Sequence, residues 1–133
     1  MQALIEREVL SHKKWMSILP DKLKLVAWKG ATFKVTMTLY EEDENGPVRD
    51  LTGYTAELDV LESKGSTTVL LSLNTNNGGI VIDDEEGTLT LIVEADDIRE
   101  QEWTRGIYDL TITSPEDETE PLFYGPFVII GVD

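Results

Sequence analysis

Phe33-Lys34-Val35-Thr36-Met37-Thr38-Leu39 is the stretch that decides the fold of this chain. Apolar residues occupy every second position, and a lysine or a threonine stands between them. Because successive side chains of a β-strand point to opposite faces, this alternation predicts a strand with one face in a core and the other in water. The run from Tyr54 to Val60 repeats the pattern, so we expect at least two half-buried strands.

Shorter apolar runs continue to the end of the chain, separated by turn residues such as Asn76-Asn77-Gly78-Gly79. Seven or eight short strands with little helix between them predict an antiparallel β-sandwich. Pro126 lies inside the last run, and because proline has no N–H to donate, it predicts an edge strand or a bulge there. The runs are Leu23–Ala27, Val69–Leu73, Ile80–Ile82, Leu89–Val93, Ile107–Thr113 and Leu122–Ile130.

The segment before Ile107 has the pattern of the E–F corner in immunoglobulin-like sandwiches. Ala95–Glu102 is polar and rich in helix formers, which predicts a single helical turn. Gly106, Tyr108 and Leu110 then match the spacing at which a tyrosine hydroxyl bonds to upstream backbone and pins the corner, while the residue two positions later enters the core. We expect Trp103, and likewise Trp28, to lie in or beside the core. The pattern predicts an immunoglobulin-like sandwich.

Asp50-Leu51-Thr52-Gly53-Tyr54 predicts a turn that sets strand register. Asp50 can accept a hydrogen bond from a backbone N–H two residues on, which closes an Asx-turn. Gly53 can adopt a positive φ. We expect Tyr54 to begin the next strand and to face inward.

Residues 1–20 follow a different period, because apolar residues recur there at spacings of four and three. This spacing predicts an amphipathic helix that ends at Pro20, with an extended arm as the alternative. We therefore divide the chain into an N-terminal arm, residues 1–20, and a sandwich, residues 21–133. The arm contains too many apolar residues for a solvated tail without contacts. It is therefore expected to pack on its own sandwich or to bind a neighbouring subunit. Its predicted contact residues are Ile5, Val9, Lys13, Lys14, Trp15, Met16 and Leu19.

The net charge of −15 is unevenly distributed over the 133 residues. Residues 1–34 have a balance of +4, and residues 35–133 have a balance of −19. Because an acidic body repels phosphate, we expect no binding of nucleic acid. No run reaches the 18 apolar residues of a membrane span, and no apolar signal segment follows Met1. We therefore expect synthesis in the cytoplasm and no membrane association.

Few residues are suited to chemistry. The chain has no cysteine and one histidine, His12, so we expect no disulfide, no thiolate or polyhistidine metal site, and no Ser-His-Asp triad. Carboxylates cluster at 41–44, 83–86 and 116–118, but each cluster lies in a predicted turn, where water solvates it. Weak calcium binding at Asp43-Glu44-Asn45-Gly46 is the alternative. We predict a non-enzymatic protein without cofactor or structural metal.

From Trp28 onward the chain resembles a widespread family of small phage and prophage tail proteins, related to the N-terminal domain of baseplate upper proteins. The resemblance implies an immunoglobulin-like sandwich that serves as a building block or anchor in the virion tail, without catalytic residues. It is carried by five separated strings in the same order: Lys29–Phe33, Asp50–Ala56, Gly78–Ile80, Gly87–Leu91 and Trp103–Leu110. The arm, residues 1–22 on this comparison, is not part of the family pattern.

The resemblance predicts a virion structural subunit of a tail or baseplate that acts by protein–protein docking. Its expected partners are other tail or baseplate proteins and, within the particle, further copies of itself. The alternative is a β-sandwich module that binds a host glycan or a small ligand. That alternative needs an exposed aromatic platform, which buried tryptophans would not provide.

Overall fold

The computed structural model describes residues 21–41 and 46–131. The predicted arm and three residues of the candidate calcium loop, 43–45, lie outside the described residues. The described residues form nine β-segments and one short helix, α1, in this order: β1 (Asp21–Lys22), β2 (Leu25–Trp28), β3 (Phe33–Thr38), β4 (Thr55–Leu61), β5 (Val69–Asn74), β6 (Ile80–Asp83), β7 (Thr88–Val93), α1 (Ala95–Arg99), β8 (Arg105–Thr113) and β9 (Thr119–Ile130).

Two sheets make up the sandwich. In the larger sheet the order is β1–β9–β8–β4–β5, and β2 also pairs with β9, while the smaller sheet has the order β3–β7–β6. Counted as one interrupted strand, β1 and β2 give eight strands in the described residues, as predicted. The orders β9–β8–β4–β5 and β3–β7–β6 correspond to strands G-F-C-C′ and B-E-D of the immunoglobulin fold. The predicted fold class is confirmed.

The first strand departs from the antiparallel pairing that the sequence predicted. β1 and β2 run parallel to β9, with Asp21 opposite Phe123 and Leu25 opposite Phe127. The other pairs are antiparallel. Parallel and antiparallel strands share the two-residue side-chain period, so alternation along one strand does not reveal the direction of its neighbour.

The core lies between the two sheets and consists of the inward side chains of the alternating runs. Six residues on alternate positions of these runs are at most 2% exposed: Phe33, Leu58, Leu91, Tyr108, Leu110 and Ile112. Trp103 packs beside this core, with its ring 5.9 Å from that of Phe127. The prediction for Trp28 was wrong, because its side chain is 52% exposed. Leu25 and Ala27 take the inward positions of β2, which turns Trp28 to the outside.

Pro126 does not mark an edge strand, because β9 lies between β8 and the first strand. It falls between the stretch of β9 that pairs with β1, ending at Tyr124, and the stretch that pairs with β2, beginning at Phe127. The ladder to the first strand is interrupted at this point, so a missing N–H removes no pairing there. The register shift between β8 and β9 lies elsewhere, between Leu110 and Thr111.

The two predicted local motifs are present. α1 is the single helical turn expected at the corner, and it buries Ile98 against the core. The Asx-turn is confirmed, because the backbone N–H and the hydroxyl of Thr52 donate to Asp50 Oδ1 over 3.0 and 2.6 Å. Gly53 has a φ of +79°. Tyr54 lies one residue before β4 and is only half-buried, so it does not begin the strand as predicted.

Candidate docking surface

The outward face of the larger sheet is apolar along its first two strands. Trp28 on β2 lies opposite Ile130 on β9, and Val26 lies opposite Val128. Trp28 and Ile130 are 52% and 39% exposed. Four large apolar side chains therefore lie next to one another on the outside of the sheet, where alternating strands usually carry polar residues.

A groove continues this surface across the sheet. It has a volume of about 310 Å³ and an apolar lining of Leu61, Ile107, Tyr124 and Pro126. Pro126 lies opposite Ile107, and Ile107 lies opposite Leu61, so the lining crosses β9, β8 and β4 in one row. We call this groove together with Val26, Trp28, Val128 and Ile130 the outer apolar face.

The outward face of the smaller sheet is different. Threonines pair there across β3 and β7, with Thr36 opposite Thr90 and Thr38 opposite Thr88. The hydroxyls of Thr36 and Thr90 are 3.1 Å apart. Lys34 is exposed on the same side, although Val81 at the edge is apolar. The contrast shows that the outer apolar face is a property of one sheet.

Three cations and one carboxylate stand at the rim of the groove: Lys22, Lys64, Arg105 and Asp109. In the part of the chain that the structure describes, the ion pairs are Arg49–Glu120 and Arg99–Asp96. The three rim cations therefore have no carboxylate partner among the described residues. Because the chain as a whole has a net charge of −15, three cations without a carboxylate partner in the described ranges are a distinctive feature around an apolar groove.

Tyr108 holds the edge strand that borders the groove. Its hydroxyl donates a hydrogen bond of 2.5 Å to the backbone carbonyl of Leu23, which lies between β1 and β2. Gly125 is opposite Tyr108 on β9, and a Cβ there would be only 2.6 Å from the same carbonyl oxygen. Glycine at this position therefore allows the edge strand to approach. Burial raises the pKa of Tyr108, and the charge of Asp109 raises it further.

The prediction that the Tyr108 hydroxyl pins the E–F corner was wrong. The hydroxyl does bond to upstream backbone, but the partner is 85 residues away in sequence and not in the corner. The corner is closed by its own backbone, because the carbonyls of Glu94 and Asp96 accept from the N–H groups of Ile98 and Glu100. Gly106 is buried, and Leu110 points into the core as the spacing predicted.

Sequence reasoning missed the ion pair between Arg49 and Glu120. Arg49 donates two hydrogen bonds to the Glu120 carboxylate, over 3.1 and 2.9 Å, and is 7% exposed. Burial alone would lower the pKa of Arg49, but the hydrogen bonds and charge of Glu120, with a smaller effect of Tyr54, raise it. The partners are 71 residues apart, so no local pattern identifies them. Both charges are satisfied within the pair, which fits a structural role.

A second cavity, of about 430 Å³, lies beside α1, β5 at the edge of the larger sheet, and the end of β7. Asn77, Glu94, Asp97 and Gln101 contribute polar groups, and no aromatic side chain lines it. Asn77 is already engaged, because its side-chain oxygen accepts from the backbone N–H groups of Asn74 and Gly79. The cavity lacks the aromatic platform expected for a glycan site.

Residues 21–41 and 46–131 contain no group of three or more His, Cys, Asp or Glu residues placed to hold a metal ion. No helix within those ranges is long and apolar enough to cross a membrane. The predicted arm contacts, Ile5, Val9, Lys13, Lys14, Trp15, Met16 and Leu19, and the greater part of the candidate calcium loop lie outside the described residues.

No protein-family model and no curated protein matches the chain. Among solved structures, the fold is similar to the N-terminal domain of phage TP901-1 ORF48, with a TM-score of 0.52 and 13% identity over 90% of this chain and 92% of that one. The extracellular domains 3–5 of Drosophila OTK match with a TM-score of 0.38 and 14% identity, over 93% of this chain and 38% of that one. At 13% identity the first likeness shows a shared fold.

Proposed function

We propose that this chain is a structural subunit of a bacteriophage tail or baseplate, and that it acts by docking on other virion proteins. The observation that carries the proposal is the outer apolar face. Trp28, Ile130 and the apolar groove leave a continuous apolar surface exposed on one sheet. Contiguous exposed apolar surfaces mark interaction sites on soluble proteins, and aromatic residues are enriched in the cores of interfaces.

The fold supports placing that role in a phage particle, because it is similar to a domain of a phage protein. The five strings named in the sequence analysis predict the same role, although no family model and no curated protein matches the chain. The expected location is the virion, with synthesis in the host cytoplasm.

The proposal includes no reaction. Among the described residues, the ion pairs join Arg49 to Glu120 and Arg99 to Asp96. The buried titratable side chain in the larger sheet, Tyr108, already donates to Leu23. Neither arrangement presents a reactive group to a substrate-sized cavity, which favours a binding role over catalysis.

Incorporation into particles tests the proposal. Tailed particles are produced from a phage or prophage that encodes the chain, purified on a density gradient and analysed by mass spectrometry. We expect the unmodified chain in the tail fraction. The double variant Trp28→Asp with Ile130→Asp should fold, because both side chains point outward, but it should be missing from particles.

Val81→Asp is the matched control. Val81 is 50% exposed, close to the value for Trp28, but it lies on the edge of the smaller sheet. This variant should be incorporated normally. A chain that is absent from purified tails in its unmodified form would contradict the structural role. Normal incorporation of the double variant would contradict docking through the outer apolar face.

Glycan binding is the second candidate, and exposed Trp28 favours it. A sugar ring could stack on the indole, which is more accessible than the sequence predicted. Host-surface oligosaccharides would then quench Trp28 fluorescence, and a Trp28→Phe variant would lose that response. No change in fluorescence at millimolar oligosaccharide would exclude this candidate.

A further inference from the structure

The outward side chains of the larger sheet lie in rows that run across its strands. One row consists of Pro126 on β9, Ile107 on β8 and Leu61 on β4, each opposite the next. We call it the middle row. The neighbouring rows lie two residues to either side along each strand, about 6.6 Å away at 3.3 Å per residue. The middle row therefore divides the outward face into two sides.

The two sides differ in charge where they cross β8 and β4. Arg105 lies two residues before Ile107 on β8, and Lys64 follows the end of β4 on the same side. On the other side, Asp109 lies opposite Asp59, and like charges side by side on a sheet are unfavourable without a cation nearby. Among the described residues no ion pair involves these four side chains. Each side therefore presents the charge that the other side lacks.

This distribution selects one way in which two copies can meet. A face-to-face contact between identical sheets has a two-fold axis in the plane between them. An axis along the strands places each row over the same row of the other copy, so that Asp109 and Asp59 face carboxylates again. An axis along the middle row reverses the order of the rows and places Arg105 of each copy over Asp109 of the other. The two residues are equally far from Ile107, as this symmetry requires.

The same axis covers apolar side chains on the first strand and on β9. Val128 and Tyr124 lie two residues to either side of Pro126 on β9, so they face each other across the axis. Val26, opposite Val128, faces Lys22, opposite Tyr124. A lysine stem can cover an apolar side chain while its ammonium group stays in water. The contact thus removes part of the outer apolar face from solvent.

The area of the face is sufficient for a stable contact. It spans five strand positions and five rows, from the row of Trp28 and Ile130 to the row of Glu57 and Asn74. At about 4.8 Å between strands and 6.6 Å between rows it covers roughly 800 Å². A standard protein–protein interface buries about 800 Å² on each partner. The outward face therefore has the size of a dimer interface.

We propose that two copies pair face to face through the outward side of the larger sheet, with the two-fold axis along the middle row. Each copy then packs its apolar row against the same row of the other, and the pair of Arg105 with Asp109 forms twice. Because each chain carries a net charge of −15, these pairs offset a general repulsion and fix how the copies align. The inference rests on the proposed function, and it names a second copy as one docking partner of the outer apolar face.

Charge reversal in the purified full chain tests the contact. Sedimentation equilibrium of the unmodified chain should show dimers with a micromolar or lower dissociation constant. The variants Arg105→Glu and Asp109→Arg each place like charges over one another twice per dimer, so each should raise that constant at least about tenfold. Both native side chains are exposed, so the circular dichroism melts of the variants should match that of the parent.

An equimolar mixture of the two variants is the decisive sample. It places the introduced glutamate of one chain over the introduced arginine of the other, and it leaves the second pair of Arg105 with Asp109 unchanged. Dimers with one chain of each kind should therefore return, with a dissociation constant close to that of the parent. Isotope labelling of one variant identifies these mixed dimers by native mass spectrometry.

Lys34→Glu is the matched control, because it reverses a positive charge on the outward face of the smaller sheet. This variant should dimerise as the parent does.

Two results would overturn the inference. The first is an unmodified chain that stays monomeric up to the limit of its solubility. The second is a pair of single variants that dimerise like the parent, or whose mixture stays monomeric, since the copies would then meet through another surface. Particle incorporation is measured separately. A chain that dimerises but is absent from tails contradicts only the proposed function, and a monomeric chain found in tails contradicts only the pairing.

Discussion

One hydroxyl, that of Tyr108, connects the interior of the larger sheet to its interrupted edge. The ring is fully buried, and the hydroxyl crosses the position of Gly125 to reach the carbonyl of Leu23. The groove wall at Lys22 belongs to the same edge strand. A single buried side chain therefore links the core to the outer apolar face.

Replacing Tyr108 by phenylalanine should lower the free energy of unfolding by about 1–3 kcal/mol, because the buried carbonyl of Leu23 loses its donor. The fold should persist, since the ring stays in place. Equilibrium urea denaturation followed by circular dichroism measures the difference. Equal stability of the variant and the parent would mean that the hydroxyl makes no net contribution.

The raised pKa of Tyr108 predicts a loss of stability at alkaline pH. Burial and the charge of Asp109 keep the folded hydroxyl protonated, while a tyrosine in the unfolded chain ionises near pH 10. Above that pH the folded state binds more protons than the unfolded state, so stability should fall by about 1.4 kcal/mol per pH unit. Below pH 10 the Tyr108 hydroxyl makes its full contribution to the free energy of unfolding. The Tyr108→Phe variant lacks this hydroxyl and its contribution. The difference in unfolding free energy between parent and variant should therefore become smaller in denaturation curves recorded from pH 9 to 11.

At the scale of elements, the central strands of both sheets provide the stability of the sandwich. Leu91 on β7 lies between Val35 on β3 and Ile80 on β6. Leu110 on β8 lies between Leu58 on β4 and Phe123 on β9. Each leucine is therefore surrounded by inward side chains of two neighbouring strands.

Truncating Leu91 or Leu110 to alanine should cost about 2–5 kcal/mol, the usual range when a buried leucine leaves a cavity. Glu118→Ala, in an exposed turn, should change stability by less than about 0.5 kcal/mol. Denaturant melts of the three variants provide the comparison. Similar losses at the buried and exposed positions would be incompatible with the core described above.

At the scale of the molecule, the described sandwich has its own continuous core. Its buried side chains belong to β2–β9, α1 and the connection around Leu51. We therefore expect the sandwich, residues 21–133, to fold by itself, with residues 1–20 as a separate arm.

Deleting residues 1–20 should leave a folded sandwich with little change in melting temperature. The same deletion should abolish incorporation into particles if the arm provides a docking contact. Thermal melts and sedimentation velocity of the truncated chain test the first part, and gradient-purified particles test the second. Precipitation or unfolding of the truncated chain would assign the arm to the domain's own core.

The sequence by itself determined the faces of the strands and the local turns. Alternation assigned Phe33, Leu58 and Leu110 to the core, the Asp50 turn closed as predicted, and a helical turn formed before β8. These features depend on residues a few positions apart, and the geometry of one strand or turn is enough to produce them.

Only the tertiary structure decided which elements meet. It paired the first strand in parallel with the last, joined Arg49 to Glu120, gave Tyr108 a partner 85 residues away and left Trp28 beside Ile130 on an exposed face. Each of these contacts joins distant parts of the chain, where no local period records the partner. The outer apolar face arises in the same way, because its outward positions on separate strands become one surface only when the sheet assembles.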